Sequence, residues 1–123
     1  MSANGSIAIV DDEVDVVRTY ELLFKKRHIP VSFTALDGPD AIDKFKKANP
    51  RPVVVIIDYR LPSISGLEVM REVLAIEPST KVIFISGDNS VRQKSVDAGA
   101  AVFLKKPTDI KIITDTVTRL MNF

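Results

Sequence analysis

Five short apolar runs recur along the chain: Ile7–Val10, Val31–Leu36, Val53–Ile57, Val82–Ile85 and Ala101–Leu104. Most are rich in Val, Ile and Phe, and four are nearly continuous. Strands buried on both faces read this way, as in a parallel sheet covered by helices. The run from Val31 to Leu36 alternates more and reads as an edge strand. Between the runs the apolar spacing switches to a helical period. Val14, Val17, Leu22 and Leu23 suit a first helix over Glu13–Arg27. Ala41, Ile42, Phe45 and Ala48 suit a second, opened by Gly38-Pro39-Asp40 and closed by Asn49-Pro50. Leu67, Met70, Val73, Leu74 and Ile76 suit a third, stopped by Pro78. Val91, Val96 and Ala98 give a weaker fourth, ending at Gly99 as a C′ residue. Ile110, Ile113, Val117 and Leu120 form the face of a fifth, with Thr108 or Asp109 to cap it. Strand and helix alternate five times. That order predicts an α/β fold, a doubly wound five-stranded parallel sheet with right-handed crossovers.

Composition fits such a fold and excludes others. The 123 residues are 46% apolar and 27% charged, enough for one buried core without staples. Seventeen basic residues face sixteen acidic ones, and no block of like charge appears. Nothing electrostatic points to nucleic acid. Cysteine is absent, which excludes disulfides, thiolate metal sites and cysteine nucleophiles. No apolar run approaches a membrane span, and Met1–Ser6 has no leader pattern. The expectation is a single domain over 1–123, soluble and cytoplasmic, without contact to a membrane or direct contact to nucleic acid.

In a doubly wound sheet, ligands bind beyond the carboxyl ends of the strands. The first run is followed by Asp11-Asp12-Glu13, the third by Asp58, the fourth by Ser86-Gly87-Asp88 and the fifth by Lys105-Lys106-Pro107. A lone aspartate at a strand end is ordinarily a cap or turn residue. If the first and third strands are neighbours, however, Asp11 and Asp12 converge on Asp58. Three adjacent carboxylates repel unless something neutralises them. A hard divalent cation does so through oxygen ligands, and Mg2+ accepts one or two carboxylates together with waters and phosphate oxygens. Lys106 has the reach to meet an anionic group at Asp58, while alternation turns Lys105 away. Ser86 supplies a hydroxyl, with helix capping as its simpler role. Together these groups suit the placing of a phosphoryl group on an aspartate with a metal ion.

At these residues the chain resembles the receiver domains of two-component response regulators. The likeness runs through Ile7–Glu13 (IAIVDDE), Val53–Gly66 (VVVIIDYRLPSISG), Val82–Asp88 (VIFISGD) and Gly99–Pro107 (GAAVFLKKP). The second stretch is the most specific, with Pro62 four residues and Gly66 eight residues after Asp58. The resemblance implies the flavodoxin-like strand order 2-1-3-4-5 of a (βα)5 fold. It implies that Asp58 accepts a phosphoryl group from a histidine kinase or phosphotransfer protein. It implies Mg2+, with Mn2+ as an alternative, held by Asp11, Asp12, Asp58 and the backbone carbonyl of Arg60. Lys106 would pair with the phosphoryl oxygens and Ser86 would swing toward them. Phe103 would turn inward with Ser86, moving the face made by the fourth and fifth helices and the fifth strand. Phe103 lacks the hydroxyl of a tyrosine, so it could gate only by packing, and a plain core aromatic is its simpler role. Arg60 and Asp88 would flank the path of hydrolytic water and pair across it, and Gly87 would remove bulk beside the phosphate. Pro107 would follow a cis peptide bond. The output is a downstream partner or a fused effector domain, from a monomer or a phosphorylation-dependent homodimer. Such a module is a signalling switch that assists its own phosphorylation and dephosphorylation, not an enzyme in the ordinary sense.

Two alternatives use similar residues. A haloacid-dehalogenase-type phosphohydrolase also combines Asp, Ser or Thr, Lys and Mg2+, but its nucleophile sits on the first strand in a D-x-D pattern. Here that strand ends in Asp-Asp-Glu. A degenerate receiver would bind a partner without phosphorylation, yet all five key positions are filled.

Overall fold

A computed structural model describes residues 5–121 of the chain. Residues 1–4 and 122–123 of the expected domain lie outside the described residues. The elements run β1 (Ile7–Val10), α1 (Val14–Lys26), β2 (Val31–Ala35), α2 (Gly38–Lys47), β3 (Val54–Asp58), α3 (Gly66–Ile76), β4 (Lys81–Ser86), α4 (Arg92–Asp97), β5 (Val102–Lys105) and α5 (Ile110–Met121). A 3-10 turn, Asn89–Val91, precedes α4. The five strands are parallel and ordered β2-β1-β3-β4-β5. This is the flavodoxin-like arrangement.

The continuous apolar runs are explained by two cores. Strand residues alternate between faces. One face sends Val10, Val55, Ile57, Val82, Phe84 and Phe103 against α2 and α3, where Phe45, Val69, Met70 and Val73 meet them. The other sends Ile7, Ile9, Val54, Ile56, Ile83 and Ile85 against Val17 and Phe24 of α1 and Ile113 and Val117 of α5. β1, β3 and β4 are central and buried along their whole length except the partly exposed Lys81, while β2 is an edge strand with mixed burial. Fully burying a large aliphatic or aromatic side chain stabilises by about 1.5–3 kcal/mol, so these two clusters dominate the fold.

Local chemistry sets the helix starts. The Asp37 carboxylate accepts the Asp40 N–H at 2.8 Å and caps α2, with Pro39 in its first turn. The Ser65 hydroxyl accepts the Glu68 N–H at 3.3 Å and caps α3. Of the two candidates for α5, Asp109 caps, accepting the Lys111 N–H at 2.9 Å. The Thr108 hydroxyl instead donates to the Lys105 carbonyl. Gly99 has a φ of 113° and closes the turn after α4.

Some apolar residues assigned to helix faces point outward. Leu22 is 62% exposed, Val96 is 50% exposed and Ile110 is 38% exposed. In α1 the covered positions are Val17 and Phe24, and in α4 the covered side is carried by Ser95, buried and hydrogen-bonded to the Arg92 carbonyl.

Candidate functional site

β1 and β3 pair through Val10↔Ile57, so the next residues on each strand, Asp11 and Asp58, emerge side by side. Asp12 follows in the β1–α1 connection. One carboxylate oxygen from each of Asp11, Asp12 and Asp58 lies within 4.8 Å of the other two. Asp11 and Asp58 are each only 5% exposed, whereas Asp12 is open to solvent. Asp11 accepts the Glu13 N–H at 2.9 Å, which fixes the first turn leading into α1.

Lys106 answers part of this charge. Its Nζ lies 2.7 Å from Asp58 Oδ1. The Lys106 N–H donates to the Ser86 carbonyl at 2.9 Å, tying the residue after β5 to the end of β4. The Lys106–Pro107 peptide is cis, as is Asn49–Pro50. Lys105 lies outside the trio, with its Nζ 3.4 Å from the Gly87 carbonyl.

Burial raises the pKa of Asp58, against the lowering effects of the hydrogen bond and charge of Lys106, and the charge of Asp12 adds to the rise. Burial also pushes the Asp11 carboxyl up, from 3.8 to about 6, opposed by the Glu13 N–H and reinforced by the charge of Asp58. At Lys106 burial works against the ammonium, but Asp58, Asp11 and Glu13 together outweigh it and the net direction is upward. One lysine therefore leaves the trio with surplus negative charge. Asp12, Glu13, Asp58, Arg60, Ser86 and Lys106 line an open cavity of about 430 Å3. Hard oxygen donors, crowded and partly desolvated beside a cavity, fit a small divalent cation.

The Ser86 hydroxyl accepts the Asp88 N–H at 2.9 Å. Its own proton has only the Asp88 carbonyl at 3.5 Å, so its donor capacity is almost unspent. Asp88 caps the 3-10 turn, taking the N–H and the hydroxyl of Ser90 at 2.9 and 2.6 Å. Those two contacts lower its pKa, with the charge of Arg60 contributing less. Arg60 and Asp88 border one concavity with Asp12, but no ion pair joins them among the described residues. At Gly87 an added Cβ would meet only Lys106 Cβ, at an ordinary 3.8 Å. No close backbone approach there demands glycine.

Gly66 is different. A Cβ at this position would run into the carbonyl oxygen of Asp58. The Gly66 N–H donates to the Tyr59 carbonyl at 2.7 Å, folding the β3–α3 loop back against the end of β3. The Asp-to-Gly interval thus has a steric cause.

An aromatic row leads away from the site. Tyr59, beside Asp58, packs on Phe84 with ring centroids 5.9 Å apart, and Phe84 stacks on Phe103 at 6.4 Å. Phe103 is 8% exposed, so it already faces inward. The Arg92 guanidinium covers its ring at 4.6 Å from the centroid. Neither Tyr59 nor Arg92 stands out in the sequence, because each acquires its neighbour only through strand pairing and the return of α4 onto β5.

A doubly wound parallel sheet with three carboxylates, a lysine and a hydroxyl at the mouths of β1, β3, β4 and β5 defines an α/β protein with an acidic centre at the carboxyl edge of its sheet. The family model of the response regulator receiver domain matches residues 7–118, and the chain belongs to that family. It is a receiver domain of two-component systems, and receivers of this family are signalling switches. The chain is 30% identical to sporulation initiation phosphotransferase F of Bacillus subtilis (strain 168), over 96% of this chain and 94% of that protein. It is 26% identical to the chemotaxis protein CheY of Treponema pallidum (strain Nichols), over 94% and 81%. Among solved structures, the BeF3-activated DrrB receiver domain superposes with a TM-score of 0.86 at 27% identity, covering both chains fully. CheY of Borrelia burgdorferi, in its complex with CheX, BeF3 and Mg2+, gives 0.86 at 26% identity over 94% of this chain and 88% of that one. No helix among the described residues is long and apolar enough to cross a membrane.

Proposed function

We propose that Asp58 is the phosphoryl acceptor of a His-Asp phosphorelay. The observation that carries this reading is the 2.7 Å contact between Asp58 and Lys106 inside a trio of crowded carboxylates. A histidine kinase or phosphotransfer protein supplies the phosphoryl group. An oxygen of Asp58 attacks phosphorus, the new P–O bond forms as the P–N bond of phosphohistidine breaks, and the imidazole leaves with the electron pair. Asp11, Asp12, Asp58 and the backbone carbonyl of Arg60 would hold Mg2+, or Mn2+ in its place. When bound, the cation supplies charge neutralisation for the carboxylates and the transferred group.

The chain's own residues do the positioning. Lys106 opposes the burial that favours protonated Asp58 and is placed to follow the charge onto the phosphoryl oxygens. Ser86 turns its loosely held hydroxyl proton toward the same oxygens. That movement acts on β4, whose Phe84 stacks on Phe103, and so reaches Arg92 and the α4-β5-α5 face where a partner binds. Arg60 and Asp88 flank the approach of water and tune hydrolysis of the acyl phosphate. The module is a cytoplasmic switch, a single domain within residues 1–123, that acts through a partner protein or an attached effector and not on nucleic acid or membrane.

Beryllium fluoride, a phosphoryl mimic, tests the switch. Adding it with Mg2+ to 15N-labelled protein is expected to shift the amides of Tyr59, Ser86, Gly87 and Lys106 and those of Arg92, Phe103 and α5. Shifts confined to the mouth of the sheet would contradict the switching face, and none at all would contradict the acceptor.

A further inference from the structure

The Phe103 side chain carries no polar atom, so packing alone sets where its ring rests. β4 and β5 pair Phe84 with Phe103, which puts both rings on one face of the sheet. Phe84 is fully buried, and the two rings stack with an interplanar angle of 27°. That contact covers only part of Phe103, and β5 is the last strand of the sheet, with no further strand to cover the rest. The Arg92 guanidinium does so, 4.6 Å from the ring centroid, and leaves Phe103 only 8% exposed.

The start of α4 is fixed so as to deliver that guanidinium. Val91, just before Arg92, is buried. Ser95 is fully buried, and its hydroxyl donates to the Arg92 carbonyl at 2.8 Å. The backbone is pinned on both sides, while the Arg92 side chain itself is exposed. No carboxylate draws it away, since Arg92 makes no ion pair among the described residues. Its Nε reaches Asn89 Oδ1 only at 3.5 Å, a weak hydrogen bond. A planar guanidinium free of a carboxylate is attracted to the negative face of an aromatic ring and stacks on it.

We propose that Arg92 clamps Phe103 inward before any phosphoryl group arrives, a positioning residue that sets the resting balance of the switch. Its link to phosphorylation rests on the reading of Asp58 as acceptor. A contact that favours the inward ring and a phosphoryl group that favours the same position reinforce each other, by linkage. With the clamp lost, the ring divides between inward and outward positions, and the phosphoryl group draws it back. In the native chain the ring is inward from the start.

The test follows the nuclear Overhauser contact between the Phe103 and Phe84 rings, with the Phe103 χ1 couplings, in the full-length chain without Mg2+ or mimic. The native ring should rest inward. Arg92→Gln should lower the inward-to-outward ratio about two- to fivefold, the strength of an exposed cation–ring contact. Arg92→Lys, which keeps the charge, should recover part of that loss. Lys94→Gln removes a charge from the same helix but from no cation–ring contact, and should leave the ring as in the native chain. Beryllium fluoride with Mg2+ should then return the Arg92→Gln ring inward. The proposal is overturned if the Arg92→Gln ring rests as the native one does, or if Lys94→Gln loosens it equally. It is also overturned if the mimic shifts the Ser86 and Lys106 amides yet leaves the Arg92→Gln ring divided. Absence of those amide shifts in every chain would instead overturn Asp58 as acceptor, and the clamp would still be decided by the resting rings.

Discussion

Asp11 is the carboxylate whose ionisation folding most resists. Its carboxyl moves from 3.8 to about 6, first through burial and then through the charge of Asp58. The folded chain therefore binds this proton more tightly than the unfolded chain. The stability it confers is complete below pH 3.8 and is lost as pH rises through about 6. Without Mg2+, Asp11→Asn should raise the melting temperature at neutral pH, and the gain should shrink to nothing as pH falls toward 3.8. With Mg2+ present the sign should reverse, because the variant loses a ligand. Circular-dichroism melts across pH, with and without the cation, check both halves. A variant no more stable than the native chain at neutral pH in metal-free buffer would contradict this account of the trio. At this scale the sequence was informative where a polar residue ends a buried strand, as at Asp11, Asp58 and Ser86. It was silent at Arg51 Nε and Thr80 Oγ1, which have no hydrogen-bond partner among the described residues only because of how separate connections pack together.

The β3–α3 connection shows how an element can be written into a spacing. Gly66 lies against the Asp58 backbone carbonyl, so the loop can close against the end of β3 only without a side chain there. Gly66→Ala should destabilise the fold by about 1–3 kcal/mol, the usual range for overpacking, and displace the acceptor, slowing phosphorylation. Gly87→Ala, where a Cβ meets only ordinary contact, should leave stability nearly unchanged. Urea melts of the two variants side by side separate a steric requirement from a mere preference for glycine, and equal losses would contradict it. The order and type of elements followed from apolar spacing because period two and period 3.6 differ sharply. Which side of a helix is covered did not always follow. Leu22, Val96 and Ile110 share helical spacing with core residues yet face solvent, since period groups residues into faces without saying which face meets the sheet. The contact between Arg92 and Phe103 had no local signal, joining residues from two elements brought together by the fold.

For the molecule as a whole, strand order decides the chemistry. Placing β1 beside β3 converts two separate acidic patches of sequence into one trio. The same sheet carries apolar side chains to two cores, and the aromatic row Tyr59–Phe84–Phe103 runs from the acceptor's neighbour to Arg92. Asp58 and the proposed binding face are thereby parts of one packed unit. The central claim is that Asp58 takes the phosphoryl group with the help of a divalent cation. Intact mass after incubation with acetyl phosphate tests it most directly, with and without Mg2+, on the native chain and on Asp58→Ala. The account predicts the gain of one phosphoryl mass by the native chain with Mg2+ and no gain when either Mg2+ or Asp58 is missing. The same gain in Asp58→Ala, or no gain by a folded native chain that binds Mg2+, would contradict it.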